Sequence, residues 1–534
     1  MIKDGTGSLQ PSRIVILAFL LTMLAGTVLL CLPVARTGAG ENLILDQSPA
    51  LPAAANSGIA PHEPPTKTVP SLGPALPAAA NSGIAPHEPP TKTVPSLGPA
   101  LPAAANSGIA PHEPPTKTVP SLGPALPGGA PLSVALFTAA SATCVTGLIV
   151  VDTGTYWSPF GQTVLLGLME LGGIGTMTVV SLVSLALGRA TSDTREVAAH
   201  SLRGIPLGGI KHTVAAILGF SLVAQMIFGV ILAWRLGASG KVPGGAMGVF
   251  HGFFLAASAF NNAGFAPWTD SVTGFNHDPV VLGSLAVLIL VGGLGFPVWA
   301  VLWVKGPHWW RLNLNVRIML VGTAVLVAGG TVLMAALEWN NPATLGAHHP
   351  GEKLLNAFFA AVSPRTAGFN AIDIGAQYPA TWLVTDGLML VGGGSAGTAG
   401  GLKVTTTAVV LATLWGEVRG AGAINILGLR LARAAQRQAL AVFSLFIGLV
   451  GISVFLMVLT TPWGLSRSLF EVCSALATVG LSTGITPSLP VANQALLIAL
   501  MLVGRLGPLT IATAWGARKR RLVYELPKDY PLIG

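Results

Sequence analysis

"APLSVALFTAASATCVTGLIVVDT" at residues 130–153 is an apolar half-helix running into a glycine-bearing turn, and the chain returns to the same design three more times. The other three are "AMGVFHGFFLAASAFNNAGFAPWTDS" at 246–271, "EKLLNAFFAAVSPRTAGFNAID" at 352–373 and "RSLFEVCSALATVGLSTGITPS" at 467–488. Each half-helix is too short for a bilayer, which needs about 20 apolar residues. Aligned on Gly147, Gly264, Gly368 and Gly480, the stretches recur at intervals of 104 to 117 residues, the mark of a repeated unit. They share Phe137, Phe254, Phe359 and Phe470 in the half-helix, and Ser141, Ser258, Ser363 and Ser474 on the way into the turn. Irregular backbone at membrane depth is tolerated only where protein buries it or where it lines a water-filled cavity. Four such turns on one axis predict a pore.

A half-helix entering from outside aims its C-terminal end at the midplane, where the helix dipole leaves roughly half a negative charge. Four of them favour a cation. The extended segments Val145, Thr146, Gly147; Asn262, Ala263, Gly264; Thr366, Ala367, Gly368; and Thr478, Val479, Gly480 can then turn backbone carbonyls toward the axis, and those oxygens replace the hydration shell of K⁺. Glycine tolerates φ > 0 and lets backbone approach without a Cβ. Thr146, Phe265, Phe369 and Leu481 are expected to buttress the ring from behind.

The rest of the composition agrees. Of 534 residues, 51% are hydrophobic and 9% charged, where a soluble domain carries about a quarter charged. Apolar runs at 13–31, 160–187, 213–234, 279–303, 316–337, 382–415, 440–459 and 491–515 predict eight spans. The basic residues recur between every second pair of spans: Arg189, Arg195, Arg203 and Lys211; Lys305, Arg311 and Arg317; Arg419, Arg430, Arg433 and Arg437; Arg518, Lys519, Arg520, Arg521 and Lys528. The positive-inside rule makes these segments and the N-terminus (Lys3, Arg13) cytoplasmic. The net charge of +9 is therefore distributed by topology and forms no nucleic-acid stripe. Cys31, Cys144 and Cys473 have no metal or disulfide spacing.

Two segments depart from the repeated pattern. Residues 51–125 are three copies of "LPAAANSGIAPHEPPTKTVPSLGPA" with six prolines each, too poor in large apolar residues for a core, and read as a disordered extracellular insertion. Its His62, His87 and His112 are not assigned as metal ligands. The sixth span is interrupted by "GGGSAGTAGG" at 392–401, where each glycine costs about 1 kcal/mol in a helix. This stretch should unwind across the aqueous path. It lacks the Gly-Lys-Ser/Thr of a phosphate loop, since Lys403 follows Leu402. Arg505, near the middle of the last span, costs at least about 2.5 kcal/mol unless paired or hydrated. It should face the pore as a gate element, or form an ion pair with Glu170 at similar depth, or do both with the pair breaking on opening.

The combined motifs resemble the Trk/Ktr/HKT superfamily of K⁺ transporters, and within it the Ktr-type membrane subunit. The motifs are "SATCVTGL", "SAFNNAGF", "SPRTAGFN" and "ATVGLSTG", with "GLMELGGIGTMT", "VGGLGFPVW", "VGGGSAGTAGGLKVTT" and "VGRLGPLT". The resemblance implies an all-α membrane protein of four repeated helix, pore-helix, filter-loop, helix units around a single pore with eight membrane-spanning helices, in the plasma membrane. It implies K⁺ as the bound and transported ion at the filter residues, Na⁺ as an activator, no covalent cofactor and no enzymatic activity. A homodimer docked on a cytosolic nucleotide-binding regulatory ring of KtrA type is the implied assembly. The gate would comprise Gly392, Gly393, Gly394, Ser395, Gly397, Gly400, Gly401, Lys403 and Arg505. HKT members that prefer Na⁺ carry Ser at the position matching Gly147. The implied divisions are 1–50 with the first span, 51–125 the insertion, 126–203, 204–311, 312–429 and 430–534.

Other classes fit less well. A pump-coupled subunit resembling KdpA shares four loops but needs an ATPase partner. An exchanger usually rests on inverted halves, whereas these repeats run in parallel. No activated nucleophile or metal cluster marks an enzyme.

Overall fold

The computed structural model describes residues 11–37, 128–187, 210–242, 245–394, 397–420 and 423–507, all of one compact body. The repeated insertion with His62, His87 and His112 lies outside the described residues, as do Ser395, Arg189, Arg195, Arg203 and the basic C-terminal cluster.

Fourteen main helices carry the described chain. They are α1 (Pro11–Leu30), α2 (Leu132–Thr143), α3 (Pro159–Leu187), α4 (Ile210–Ala238), α5 (Ala246–Asn261), α6 (Pro279–Leu294), α7 (Phe296–Lys305), α8 (Leu314–Glu338), α9 (Pro350–Val362), α10 (Pro379–Leu390), α11 (Val404–Val418), α12 (Arg433–Thr460), α13 (Leu465–Leu476) and α14 (Val491–Leu506). The one described sheet is a hairpin of Asn425–Ile426 and Leu429–Arg430, with Asn425 opposite Arg430 and Ile426 opposite Leu429.

The sequence sets several helix ends directly. Asp278 caps α6 by accepting from the amides of Val280 at 3.0 Å and Val281 at 3.3 Å, ahead of Pro279, whose missing N–H is harmless in a first turn. Asn313 caps α8 through the Val316 amide at 3.0 Å. Among the described residues, α4 from Val214, α8 and α12 are long and apolar enough to cross a membrane. Leu222, Met226, Val230 and Trp234 on α4, and Ile452, Phe455 and Leu459 on α12, lie exposed, as side chains that face lipid would.

The run at 279–303, read above as one span, is broken. Helices α6 and α7 meet at an 88° bend, and the hinge is Gly295 at φ +86. A left-handed residue ends the helix, and Pro297 in the first turn of α7 cannot supply an amide to continue the α6 ladder. In the run at 491–515, helix α14 ends at Leu506, where Gly507 has φ +82, and residues 508–515 lie outside the described residues. The run at 382–415 is non-helical between α10 and α11, as its glycines predict.

The four short helices α2, α5, α9 and α13 are packed in a cycle. Helix α2 touches α14, α5 touches α3, α9 touches α6 and α13 touches α10. Each also packs against a longer helix just before it in the chain: α1, α4, α8 and α12. Phe137, Phe254, Phe359 and Phe470 are all fully buried between these layers.

Candidate functional site

The turns after the four short helices have one construction. Two residues before each glycine the backbone goes left-handed, at Val145 (φ +57), Asn262 (φ +59), Thr366 (φ +74) and Thr478 (φ +52). The glycines follow at φ +90, +72, +77 and +94 for Gly147, Gly264, Gly368 and Gly480. Such angles are rare outside glycine, so four non-glycine cases in one place mark backbone held by its surroundings. The holding bonds are visible. The amides of Thr146, Ala263 and Val479 each donate at 2.8 Å, and that of Ala367 at 2.9 Å, to the carbonyls of Ser141, Ser258, Ser474 and Ser363. The Ser141 and Ser474 hydroxyls accept from the glycine amides at 3.1 and 3.0 Å, while the Ser363 hydroxyl donates to the Phe369 carbonyl.

With the amides engaged behind, the carbonyls are left over. Thr146, Ala263, Ala367 and Val479 are fully buried, and among the described residues none of their carbonyl oxygens accepts a hydrogen bond. A buried carbonyl without a partner is uncommon, and four at equivalent positions call for a shared ligand. The glycines show that the four positions adjoin. A Cβ built on Gly147 would lie 3.2 Å from Gly264 Cα, one on Gly264 3.1 Å from Gly368 Cα, one on Gly368 3.2 Å from Gly480 Cα, and one on Gly480 3.0 Å from Gly147 Cα. The circuit closes. In each case the nearest atom is the carbonyl oxygen before the next glycine.

The third turn is one residue shorter than the others. Nine residues separate Phe359 from Gly368, where ten separate Phe137 from Gly147, so the shared register holds for three stretches and slips in one. Behind the ring Phe265, Phe369 and Leu481 are buried as expected, but the matching residue in the first turn is the fully buried Leu148; Thr146 belongs to the ring itself.

Under the ring runs the irregular chain between α10 and α11. Val391 bridges Leu402 in parallel, with Gly392 N donating to Leu402 O at 2.8 Å and Val404 N to Gly393 O at 3.2 Å. Gly394 N and Thr398 N donate to Gly293 O and Gly292 O of α6 at 2.8 and 3.2 Å. The Thr398 hydroxyl accepts from Asn262 Nδ2 at 2.9 Å and donates to Phe260 O at 3.0 Å. Gly400 and Gly401 lie against Ala477 and Thr478. Lys403 folds its Nζ back onto Ala399 O at 2.7 Å.

Arg505 ties this segment to the opposite side. Its Nη1 donates to Thr398 O and its Nη2 to Gly172 O of α3 at 2.8 Å. Glu170 does not pair with it; the polar neighbours of Glu170 are Asn261 and Gln225. Four segments thus converge on one irregular strand: Gly172, Asn262, Thr478 and Arg505 all reach it or its arginine.

Two buried carboxylates escaped the sequence reading. Glu471 accepts from Thr486 Oγ1 at 2.8 Å, Thr483 N at 3.1 Å and Ser482, fixing the limb after Gly480. Glu338 accepts from Asn341 at 2.7 Å, Tyr378 N at 2.9 Å, Thr344 and Thr381. The signal for Glu471 was present as a lone acid in an apolar half-helix.

A ring of buried carbonyls at four adjoining turns, in a body of long apolar helices with apolar outer faces, has the architecture of a membrane transport protein. The family model for TrkH, a cation transport protein, matches residues 124–518, and the chain belongs to that family. It is 40% identical over 381 residues to the Ktr system potassium uptake protein B of Bacillus subtilis, covering 70% of this chain and 84% of that one. It is 32% identical over 409 residues to the potassium/sodium uptake protein NtpJ of Enterococcus hirae, covering 75% and 89%. The crystal structure of the potassium transporter TrkH from Vibrio parahaemolyticus shares the fold, with a TM-score of 0.58 at 18% identity over 73% of this chain and 80% of that one. These relatives are named as transport proteins, none as an enzyme.

Proposed function

We propose that this chain is a potassium uptake subunit of the Ktr type, which passes K⁺ across the plasma membrane through a single pore. The pore lies on the axis of four units, each a helix, a pore helix, a filter loop and a second helix, with eight spans in all and both termini cytoplasmic. The filter is formed by the backbone of Val145 to Gly147, Asn262 to Gly264, Thr366 to Gly368 and Thr478 to Gly480. One observation carries this reading: the closed circuit of the four glycines and the four buried carbonyls before them that accept no hydrogen bond among the described residues. Oxygens so placed replace the water lost by K⁺ on entry.

Below the filter, the chain from Gly392 to Gly401 with Lys403 and Arg505 serves as the gate. Thr398 supports this, because one residue joins the second filter loop, α6 and Arg505 at once. Opening requires the segment to leave the axis, and Arg505 holds it there. The working assembly is a homodimer on a cytosolic nucleotide-binding ring of KtrA type, which moves the gate, with Na⁺ as an activating ion. The 40% identical relative is named as a protein of a Ktr system, which supports a multi-component assembly.

The deciding experiment is complementation of a K⁺-uptake-deficient bacterial strain in low-K⁺ medium, with and without a ring subunit. Growth and ⁸⁶Rb⁺ uptake above vector background are expected, larger with the ring. No uptake in either case, with the protein present in the membrane, overturns the assignment.

A further inference from the structure

We propose that His277, His348 and Glu352 form a binding site for a late first-row divalent cation, with Zn²⁺ the ion it suits best. One ligand atom from each lies within 4.8 Å of the other two. His277 Nδ1 is 2.9 Å from Glu352 Oε1 and His348 Nδ1 is 3.7 Å from Glu352 Oε2, and the imidazole centroids are 5.0 Å apart at an interplanar angle of 63°. Ligand atoms about 2.0–2.1 Å from a tetrahedral Zn²⁺ stand about 3.3–3.4 Å apart, so modest side-chain rotation closes the set. Two imidazoles and one carboxylate are a donor set Zn²⁺ accepts, with a fourth position for water.

Three features separate this cluster from an ordinary surface ion pair. The His348 side chain is only 11% exposed, yet its Nδ1 has no hydrogen-bond partner, so a ligating nitrogen stands ready beside a carboxylate. The backbone beneath is fixed. Asn356 Nδ2 donates to Asn276 O at 2.9 Å, joining the segment before α6 to α9, and the His348 amide donates to Leu345 O at 3.0 Å. The one nearby cation, Lys353, is drawn off to Trp339, whose carbonyl its Nζ meets at 2.9 Å and whose ring lies 5.1 Å away.

The ion would clamp two parts of the chain already joined by the Asn356 to Asn276 hydrogen bond. His277 precedes α6, while His348 and Glu352 straddle the start of α9, the short helix that delivers Thr366 to Gly368. The site stands whether or not the chain conducts K⁺, because binding is read directly.

The test uses purified full-length protein in detergent, stripped with chelator and titrated with ZnCl₂ against a chromophoric zinc indicator. His62, His87 and His112 are changed to Gln in the background, so that the repeated insertion contributes no imidazole. One Zn²⁺ per chain is expected, weakened at least about tenfold by His277→Ala and by His348→Ala, and untouched by the control His308→Ala. Zn²⁺ should also raise the Tm of the background protein and fail to raise that of His277→Gln, whose exposed position keeps folding out of question. No stoichiometric uptake by the background protein, or equal uptake and equal Tm response in the histidine variants, overturns the proposal.

Discussion

Replacing Gly480 by Ala is the sharpest probe of the carbonyl ring. Gly480 has the largest φ of the four glycines, +94, and an added Cβ would press on the carbonyl oxygen of Thr146 and stand 3.0 Å from Gly147 Cα. Neither atom is the tip of a flexible side chain, so the first loop must retreat. The left-handed conformation alone costs a residue with a Cβ about 1–2 kcal/mol. If that strain is relieved by moving one quadrant of oxygens outward, K⁺ loses that much and Na⁺, with its own water, loses less. The K⁺ preference should then fall about 5- to 30-fold. The same construction ranks the four sites: the oxygen is nearest at Gly480, then Gly368, then Gly147, and farthest at Gly264, where it is 2.6 Å away. Competition between K⁺ and Na⁺ uptake, at matched membrane abundance for each Gly→Ala variant, reads both size and order. The resemblance to Na⁺-preferring relatives singles out Gly147, whereas the contacts single out Gly480. Retention of the parent preference within about twofold in Gly480→Ala, or a larger loss in Gly264→Ala, refutes the ring as the selecting element.

Three more outcomes are expected. Arg505→Ala, or deletion of 393–400, should raise ⁸⁶Rb⁺ flux in the absence of a ring subunit, since either change frees the segment anchored at Thr398; reduced flux at normal abundance would make these groups supports of the open pore. Gly292→Ala should cost about 1–3 kcal/mol, because its Cβ would collide with Phe260 O and stand 2.9 Å from Thr398 Oγ1, and a detergent melting curve unchanged from the parent would contradict the packing. Deletion of 51–123 should leave uptake intact, as shortening a long connection changes closure entropy by only about 0.6 kcal/mol per halving, and lost uptake at normal abundance would assign the insertion a role.

Much of this site was legible because its physics is local. A glycine preceded by a small-residue run and a short apolar helix can be recognised in one sequence, and the four glycines so recognised adjoin one another. The irregular chain at 392–401 was equally open to view, since no other span concentrates glycine so heavily. What the sequence concealed depends on three-dimensional neighbours. The bend at Gly295 was hidden because a single glycine in an apolar run is usually tolerated, and only the following Phe-Pro and the contact with the 392–401 segment make it a break. The missing residue in the third turn was hidden because alignment on glycine and alignment on phenylalanine disagree there by one. The partner of Arg505 was left open among alternatives because rise counting gives depth and not azimuth: Glu170 lies near Asn261, and the carbonyls of Gly172 and Thr398 accept from the guanidinium.

The departure of the third segment from the other three bears on the gate proposed for it. In α3, α6 and α14 a glycine presses directly on the end of the preceding short helix: Gly172 on Thr143 O, Gly292 on Phe260 O and Gly504 on Leu476 O. Those three carbonyls each come four residues before their filter glycine, so three long helices brace three filter loops in one way. The third has no such contact. Gly392 meets the carbonyl of Gly400 in its own irregular segment, and the turn after α9 is approached instead by α8, whose Thr323 carbonyl accepts from Arg365 Nη1 at 3.5 Å. The unwound chain thus lies where the glycine contact made by the other three long helices is not repeated among the described residues. It is held instead by α6, Asn262, Thr478 and Arg505, so releasing it also frees one side-chain contact of the second loop and one packing contact of the fourth. If this segment gates the pore as proposed, its release leaves the contacts of Gly172, Gly292 and Gly504 with the ends of the three short helices in place.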